Sequence, residues 1–273
     1  MNNPNLYSTA NAMQKYDAKL LIDNYFNNIK WLPNGGDISL DIGCGDGGVT
    51  YEFLLNNMPN NAEKIIGTDI SEQMIMYANE YYQHRKLKFE YLDISSKTLS
   101  EQFIGKFDHV FSLNCLHWVH DQRQAFQNIY DLLKSNGDML VSYVASSPVF
   151  SIYETLSKLD KWKSYMLDYT KYICPYHNNL NTEEDLTKLL ESIGFEVVIC
   201  KCEKRQFVYK DLESWINFIK TVNPFLNRIP ESNRNEYIDQ FLEECKKHGV
   251  VVPNNVNVTK PYDELIVYAQ KKI

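Results

Sequence analysis

The sequence predicts an α/β fold, in which a mostly parallel sheet with an antiparallel last strand carries a helical cap insertion. From Asp37 to Ala145, short apolar runs alternate with segments of helical periodicity. Strands separated by helices favour a parallel sheet with right-handed crossovers. After Pro148 this alternation stops, the chain becomes aromatic and helical, and strand character returns only at Phe195.

The same patterns predict one domain over residues 1–273, because no stretch resembles a flexible linker and this length suits one α/β domain with an insertion. The domain is predicted to begin with a helix over residues 8–30 that forms a lid over the active site, followed by a core over residues 37–146. A helical cap is predicted at about residues 147–181, and a further helical segment at residues 211–248. The cap is rich in large side chains, among them Trp162, Tyr165, Met166, Tyr169 and Tyr172.

Five apolar runs predict the strands of the core, at Ile38–Ile42, Lys64–Asp69, Leu87–Leu92, Phe107–Leu113 and Met139–Ala145. Helical periodicity predicts one helix at Asp46–Asn57 and another that begins after Ser71, its predicted N-cap. Two more are predicted, over the polar stretch after Asp93 and at Asp121–Lys134. Further along, Thr182 is predicted to cap a helix that Gly194 ends. Two more strands are predicted at Phe195–Cys202 and Glu264–Gln270, the last one antiparallel.

Composition limits the classes of partner. The formal net charge is −7 and the basic residues are scattered, so a nucleic-acid partner is disfavoured. No run reaches the ~18 apolar residues of a membrane span, and the polar segment Met1–Ala10 lacks the features of a secretory signal. We therefore expect a cytoplasmic protein without stable membrane insertion, and we leave a homodimer open.

The cysteine and histidine residues do not predict a metal site. None of the six cysteines has Cys-x-x-Cys spacing, and Cys200 and Cys202 share one face of a predicted strand without further ligands. His117 and His120 lie three residues apart, but no carboxylate–histidine pair completes a coordination shell. We expect reduced thiols and no bound metal.

The most informative motif is Asp-Ile-Gly-Cys-Gly-Asp-Gly-Gly at Asp41–Gly48, between the first predicted strand and its helix. A turn through glycines at this place brings backbone N–H groups close to a ligand. Gly43, Gly45 and Gly48 also satisfy the dinucleotide pattern Gly-x-Gly-x-x-Gly, which alone is a weak signal. The acidic residues around this motif indicate which nucleotide-like cofactor is bound.

Three acids, Asp41, Asp69 and Asp93, lie at the ends of successive predicted strands, where ligands of open α/β sheets bind. A nicotinamide dinucleotide has a use for Asp69, but its phosphates would be repelled by Asp41. S-adenosylmethionine has no phosphate and carries a cationic amine and sulfonium. It suits all three acids, with Asp41 near the amine, Asp69 accepting from the ribose hydroxyls and Asp93 accepting from the adenine amino group. Capping of the following helix is the alternative for each acid.

Four segments resemble, in order, the motifs of class I S-adenosylmethionine-dependent methyltransferases: Asp41-Ile-Gly-Cys-Gly-Asp, Gly67-Thr-Asp69-Ile-Ser, Phe107-Asp-His-Val-Phe-Ser and Leu132-Leu-Lys-Ser-Asn-Gly137-Asp-Met-Leu. The resemblance implies a Rossmann-like class I methyltransferase sheet, with Ile70 and Met74 beside the adenine. Ser135-Asn136-Gly137 replaces the usual Pro-Gly-Gly turn, which should not affect the chemistry. The expected cofactor-binding residues are Asp41, Gly43, Cys44, Gly45, Asp69, Ile70, Met74, Asp93, Ile94 and Asn114.

Three further segments resemble insect juvenile hormone acid O-methyltransferases and, more distantly, trans-aconitate methyltransferases. They are the N-terminal segment with Gln14, the run Asn114-Cys-Leu-His117-Trp118-Val, and the aromatic cap. The resemblance implies methyl transfer from S-adenosylmethionine to the carboxylate of a sesquiterpenoid, such as juvenile hormone acid or farnesoic acid, in juvenile hormone biosynthesis. The implied partner is a small lipophilic carboxylic acid, and the implied catalytic residues are Gln14, His117 and Trp118.

The chemistry of a carboxylate agrees with these residue types. A carboxylate is ionised at neutral pH, so its attack on a sulfonium methyl group needs orientation and no general base. The Gln14 amide and the Trp118 indole N–H are neutral donors that can supply this orientation. Each residue also has an ordinary alternative, since Gln14 could be solvated, Trp118 could belong to the core and His117 could be a satisfied buried imidazole. The large side chains of the cap could likewise reflect ordinary helix packing.

Two other functions stay open. The first is a methyltransferase for another small acid of the trans-aconitate type, or for an amine; the apolar cap and the lack of a basic cluster disfavour a polycarboxylate. The second is a non-catalytic protein that binds the cofactor or dimerises. The intact residues Asp41, Gly43, Gly45 and Asp69 argue against the second.

Overall fold

The computed structural model describes residues 3–250 and 257–272; the predicted domain also includes residues 1–2, 251–256 and 273, which lie outside the described residues. The strands β1–β7 are Ile38–Ile42, Lys64–Asp69, Leu87–Tyr91, Phe107–Leu113, Leu133–Ser146, Phe195–Tyr209 and Val258–Lys271. The helices α1–α10 are Pro4–Ala10, Ala12–Tyr25, Leu55–Asn57, Glu72–Tyr81, Gln122–Leu132, Pro148–Ser157, Asp160–Lys163, Thr182–Ile193, Leu212–Val222 and Glu231–Lys247. Short 3-10 turns lie at Phe26–Asn28, Leu116–Trp118, Tyr169–Tyr172 and Leu226–Arg228.

The strand order confirms the predicted fold class. The seven strands form one sheet in the order β3-β2-β1-β4-β5-β7-β6. The first five strands pair in parallel, and β7 pairs antiparallel with both β5 and β6. All seven residues of the central strand β4 are buried, as expected for a parallel strand covered by helices on both faces. The carboxyl ends of the five parallel strands therefore meet at one edge.

Three strands are longer than the apolar runs predict. Strand β5 begins at Leu133, so the preceding helix α5 ends at Leu132 and not at Lys134. Strands β6 and β7 extend together past the predicted ends, with Arg205 opposite Tyr262 in the added part. The apolar pattern does not reveal this extension, because it contains charged residues whose partners lie on the neighbouring strand and on the N-terminal helices.

The polar stretch after Asp93 forms turns, so the helix predicted there is wrong. The side chain of Asn128 on α5 is buried beneath this stretch and donates from Nδ2 to two of its backbone oxygens. The acceptors are Ile94 O at 2.7 Å and Ser96 O at 2.8 Å. A contact from a distant helix therefore decides the local conformation here.

Two predicted helix starts are also wrong. The helix after the glycine motif begins at Gly48, since Asp46 Oδ1 accepts from Gly48 N (3.1 Å) in a turn, and it passes through a π-helical segment at Thr50–Leu54. Thr182 is the first residue of α8 and not its cap; its hydroxyl donates to the Asn179 carbonyl at 2.8 Å.

The N-terminal segment predicted as one helix over residues 8–30 is two helices. Asn3 caps α1 through its side chain, and the break between α1 and α2 falls at Asn11. Asn11 is buried, and its Nδ2 donates to Asp46 Oδ2 at 3.2 Å. The residue at the break therefore ties the N-terminal helices to the loop that follows β1.

The predicted cap and the helical segment at 211–248 pack together as one layer. Trp162 and Met166 are fully buried in it. Trp162 Nε1 donates to Gln240 Oε1 at 2.7 Å, and the Trp162 ring meets the Tyr237 ring edge-on at 5.3 Å between centroids. Part of the aromatic character of the cap therefore serves packing against α10.

A buried histidine joins the amino-terminal edge of the sheet to the chain that precedes it. His109 Nδ1 lies 2.6 Å from Asp138 Oδ1, and His109 Nε2 lies 2.9 Å from Asp37 Oδ1. Asp138 Oδ2 also accepts from Lys30 N and from Tyr268 OH. Burial alone would lower the pKa of His109, but the two carboxylates outweigh it and raise this pKa.

We expect NMR titration of the His109 ring to give a midpoint above its ordinary value of about 6.5. Because the pKa is raised in the folded state, the stabilisation from the charged imidazole is fully present below about pH 6.5 and is lost as the pH rises through the folded-state value. His109→Gln should lower the free energy of unfolding at pH 6.5 by about 3 kcal/mol, measured with denaturant. A ring midpoint at or below 6.5 would contradict this prediction.

Candidate active site

The glycine loop after β1 packs directly on the loop after β4. Gly43 has a φ of 75°, and a Cβ atom there would lie 2.2 Å from Cys115 Sγ. Gly43 N and Cys44 N both donate to the Thr68 carbonyl, at 2.7 and 2.9 Å, which holds the loop against the end of β2. Only glycine combines this backbone conformation with this contact.

Two of the predicted acids lie at this loop. Asp41 is buried, its Oδ2 accepts from the Thr50 hydroxyl at 2.6 Å, and burial raises its pKa to about 7. Asp69 accepts from Gly45 N through Oδ2 (3.0 Å) and from Ser71 N through Oδ1 (2.8 Å). Burial also raises the pKa of Asp69. Carboxylate oxygens accept more than one hydrogen bond each, so both acids retain acceptor capacity for a ligand.

The other predicted cofactor residues surround this crevice with different exposure. Asp93 Oδ1 accepts from the backbone N–H and the hydroxyl of Ser95, at 2.9 and 2.6 Å, in a turn, and since no helix follows, the helix-capping alternative does not apply to this acid. Met74 and Ile94 are buried, whereas 61% of Ile70 is exposed. Both buried and exposed apolar side chains are therefore available to pack against a planar ring of a ligand.

Helix α1 covers the glycine loop, a contact that the sequence did not reveal. The Tyr7 ring lies so close to Gly45 that a Cβ atom on Gly45 would meet Tyr7 Cε1 at 3.3 Å. Tyr7 is 8% exposed, and burial together with the nearby Asp46 and Asp69 raises its pKa. Since Asn11 bonds to Asp46, the side chains of Tyr7 and Asn11 together cover the crevice.

The three predicted catalytic residues and Asn114 line one cavity of about 50 Å³. Its walls come from α2, the loop after β4, the end of β5, α6, α9 and β7. The remaining lining residues are Met13, Val144, Ser147, Val149, Phe150, Tyr153, Phe218, Val222 and Lys260. The cap contributes its first helix, α6; the predicted cap side chains Trp162, Tyr165, Met166, Tyr169 and Tyr172 are not among the lining residues.

Two polar atoms at this cavity lack a hydrogen-bond partner among the described residues. They are Gln14 Oε1 and His117 Nδ1, and both are buried. Burial and the nearby Lys260 lower the pKa of His117 to about 3, so its imidazole is neutral at physiological pH. The His117 and Trp118 rings are 4.8 Å apart between centroids. Buried polar atoms without partners are rare, and each calls for an explanation.

A buried hydrogen-bonded chain joins the helix that carries Gln14 to the loop that carries Trp118. Asn114 has a φ of 54° and donates from Nδ2 to Asp17 Oδ2 at 3.3 Å. Asp17 Oδ1 accepts from Tyr262 OH at 2.5 Å. Asp17 and Tyr262 have no local sequence signal, since their partners are distant in the chain.

Within residues 3–250 and 257–272, no three His, Cys, Asp or Glu side chains converge as metal ligands. Over the same ranges, none of the helices combines the length and the apolar character that a bilayer crossing requires.

Comparison with known proteins agrees with this architecture. A putative methyltransferase from Bacillus halodurans superposes with a TM-score of 0.62 at 18% identity, covering 94% of this chain and 100% of that one. A family model described as a methyltransferase domain matches residues 40–139.

Two curated relatives match almost the whole chain. The juvenile hormone acid O-methyltransferase of Drosophila melanogaster is 36% identical over 276 residues, which cover 99% of this chain and 93% of that protein. The enzyme of the same name from Bombyx mori is 35% identical over 277 residues, with coverage of 99% and 98%. The glycine loop, the cavity beside it and these matches together show that the chain belongs to the juvenile hormone acid O-methyltransferase family.

Proposed function

We propose that this protein transfers the methyl group of S-adenosylmethionine to the carboxylate of a sesquiterpenoid acid, such as juvenile hormone acid or farnesoic acid, and releases the methyl ester. One observation carries the proposal. The loop after β4 contacts the glycine loop through Cys115 and lines the acceptor cavity through His117 and Trp118. A methyl donor at the glycine loop and an acid in the cavity would therefore be neighbours.

The residues at the glycine loop fit the proposed methyl donor. The turn through Gly43 and Gly45 would present backbone groups to the donor, Asp41 would lie near the methionyl amine, and Asp69 would accept from the ribose hydroxyls. The exposed Ile70, the half-buried Asp93 and the buried Met74 and Ile94 would surround the adenine, with Cys44 and Asn114 completing the crevice. S-adenosylmethionine supplies an electrophilic methyl group when it is bound.

The reaction needs positioning and no proton transfer. A carboxylate oxygen forms a bond to the methyl carbon as the carbon–sulfur bond breaks, which leaves a neutral ester and S-adenosylhomocysteine. The Gln14 side-chain amide, donating through Nε2, and the Trp118 indole N–H would orient the carboxylate. The pKa of His117, about 3, makes its imidazole a poor base and a suitable neutral donor.

Apolar side chains support a lipophilic tail. The cavity walls include Phe150 and Tyr153 from α6 and Phe218 and Val222 from α9. The volume of about 50 Å³ is far below the roughly 300–1,000 Å³ of typical ligand sites. A sesquiterpenoid tail therefore requires the walls of the cavity to move apart, whereas a small acid of the trans-aconitate type, the second candidate, requires less opening.

A homodimer and a cytoplasmic location stay predictions. Sedimentation of the purified protein tests the first, and imaging of the tagged protein in cells tests the second.

The substrate proposal predicts a steep dependence of rate on chain length. With methyl-labelled S-adenosylmethionine, farnesoic acid should react faster than shorter isoprenoid acids, since each methylene lost from an apolar pocket weakens transition-state binding by about 1 kcal/mol. Trans-aconitate and simple amines should react slowly. Equal kcat/KM values for acetate, trans-aconitate and farnesoic acid would contradict the proposed substrate class.

The positioning role predicts a selective loss of turnover. Gln14→Ala and Trp118→Phe should each lower kcat about 10- to 1000-fold, while calorimetry shows nearly unchanged affinity for S-adenosylmethionine. Gln127→Ala and Trp31→Phe are matched controls away from the cavity and should retain wild-type turnover. Parallel loss of cofactor affinity in the two site variants would contradict this assignment.

The neutral His117 predicts the pH dependence. At saturating cofactor, kcat should stay flat from about pH 5.5 to 7.5, because the lowered pKa of about 3 leaves the imidazole neutral throughout. His117→Gln should remain within about tenfold of wild type with the same profile. A rise near pH 6.5 that disappears in His117→Gln would instead show that histidine acts as a base.

A further inference from the structure

Lys260 places a buried ammonium group at the acceptor cavity. Strand β7 carries this residue opposite Phe207 of β6, and it is only 3% exposed. Its side chain lines the same cavity as Gln14, His117 and Trp118. Lysine is almost never fully buried without a partner, so the burial of Lys260 requires an explanation.

The contacts of this ammonium group are weak ones. Lys260 Nζ donates to Met13 Sδ at 3.4 Å and lies 5.2 Å from the ring centroids of Phe218 and Tyr262. No carboxylate of residues 3–250 and 257–272 forms an ion pair with it; Asp17 acts only at longer range. A thioether and two aromatic faces compensate poorly for the lost hydration of a cation.

Burial lowers the pKa of Lys260 to about 8, and Asp17 partly opposes this shift. The ammonium form therefore still predominates at neutral pH. Its charge is also felt by His117, whose pKa it helps to lower. The cavity thus combines apolar walls, neutral hydrogen-bonding groups and one cation.

We propose that Lys260 recognises the negative charge of the substrate, and that it selects an ionised monocarboxylate with an apolar tail. This inference rests on the proposed function and deepens it, by naming the group that distinguishes the acid from uncharged isoprenoids. Lys260 and the proposed orienting residue Gln14 line the same cavity, so the cation and the amide can act on one bound acid.

The charge of Lys260 also distinguishes the substrate from the product. Methyl transfer converts the carboxylate into a neutral ester, which keeps the tail and loses the attraction to Lys260. The apolar walls bind the tails of acid and ester alike, so the cation supplies the difference between them. Lys260 thereby favours entry of the acid and departure of the ester.

The test compares the binding of acid and ester to the full chain in the presence of S-adenosylhomocysteine. In Lys260→Met, the dissociation constant of farnesoic acid at pH 7 should rise about 10- to 100-fold, and that of methyl farnesoate should stay within about twofold of wild type. Lys260→Arg should retain part of the preference for the acid. Lys271→Met is the matched control, because Lys271 lies on the same strand over the Tyr130 ring, away from the cavity.

The wild-type protein provides a second measurement that does not depend on a variant. Its preference for acid over ester should fall as the pH rises above about 8, and Lys260→Met should lack this change. The titratable groups facing Lys260 are Asp17 of α2, His117 of the loop after β4, Tyr209 of β6 and Tyr262 of β7. The pKa of His117 is lowered and those of both tyrosines are raised, so these three stay neutral across the transition.

The outcomes separate this inference from the proposed function. If wild type binds and methylates farnesoic acid while folded Lys260→Met binds it equally well, the inference is overturned and the proposed function stands. If another monocarboxylate binds in a manner that depends on Lys260, while farnesoic acid does not, the sesquiterpenoid proposal fails and charge recognition stands. If Lys260→Met does not fold, equal affinity of wild type for acid and ester at pH 7 overturns the inference.

Discussion

The organisation of the site depends on the close approach of two loops, one after β1 and one after β4. The two strands are neighbours in the parallel sheet, so their loops leave the same edge. Gly43 has no side chain and adopts a positive φ, and Cys115 fills the space that a Cβ atom would take. A larger residue at position 43 would push the loops apart. The proposed donor crevice and the acceptor cavity are adjacent because this contact is tight.

The N-terminal helices complete both sides of the site, and buried polar contacts hold them there. Tyr7 and Asn11 lie over the glycine loop, while Gln14 reaches the cavity. Asp17 ties α2 to Asn114 and to the extended part of β7. Directional polar contacts at several points hold the N-terminal helices in one position more firmly than an apolar face alone would. The small volume of the cavity also implies that its walls must move before a long tail can enter.

The core of the fold could be predicted because its signals are local. Apolar runs mark the five parallel strands, and the glycine motif marks the turn at Gly43. Features that depend on distant partners could not be predicted. The extension of β6 carries Arg205, whose charge is paired with that of Glu264 on β7, and Trp162 proved to be buried against α10. Lys260 has no neighbouring motif, and only the fold brings it to the cavity that Gln14 also lines.

The central claim is that an acid enters the cavity with its carboxylate between the orienting groups and its tail between α6 and α9. A crystal structure of the protein with S-adenosylhomocysteine and farnesoic acid tests this claim most directly. We expect one carboxylate oxygen in line with the homocysteine sulfur, the carboxylate within hydrogen-bond distance of Gln14 and Trp118, and the tail against Phe150 and Phe218. An acid bound with its carboxylate in solvent, or at a surface away from the loop after β4, would contradict it.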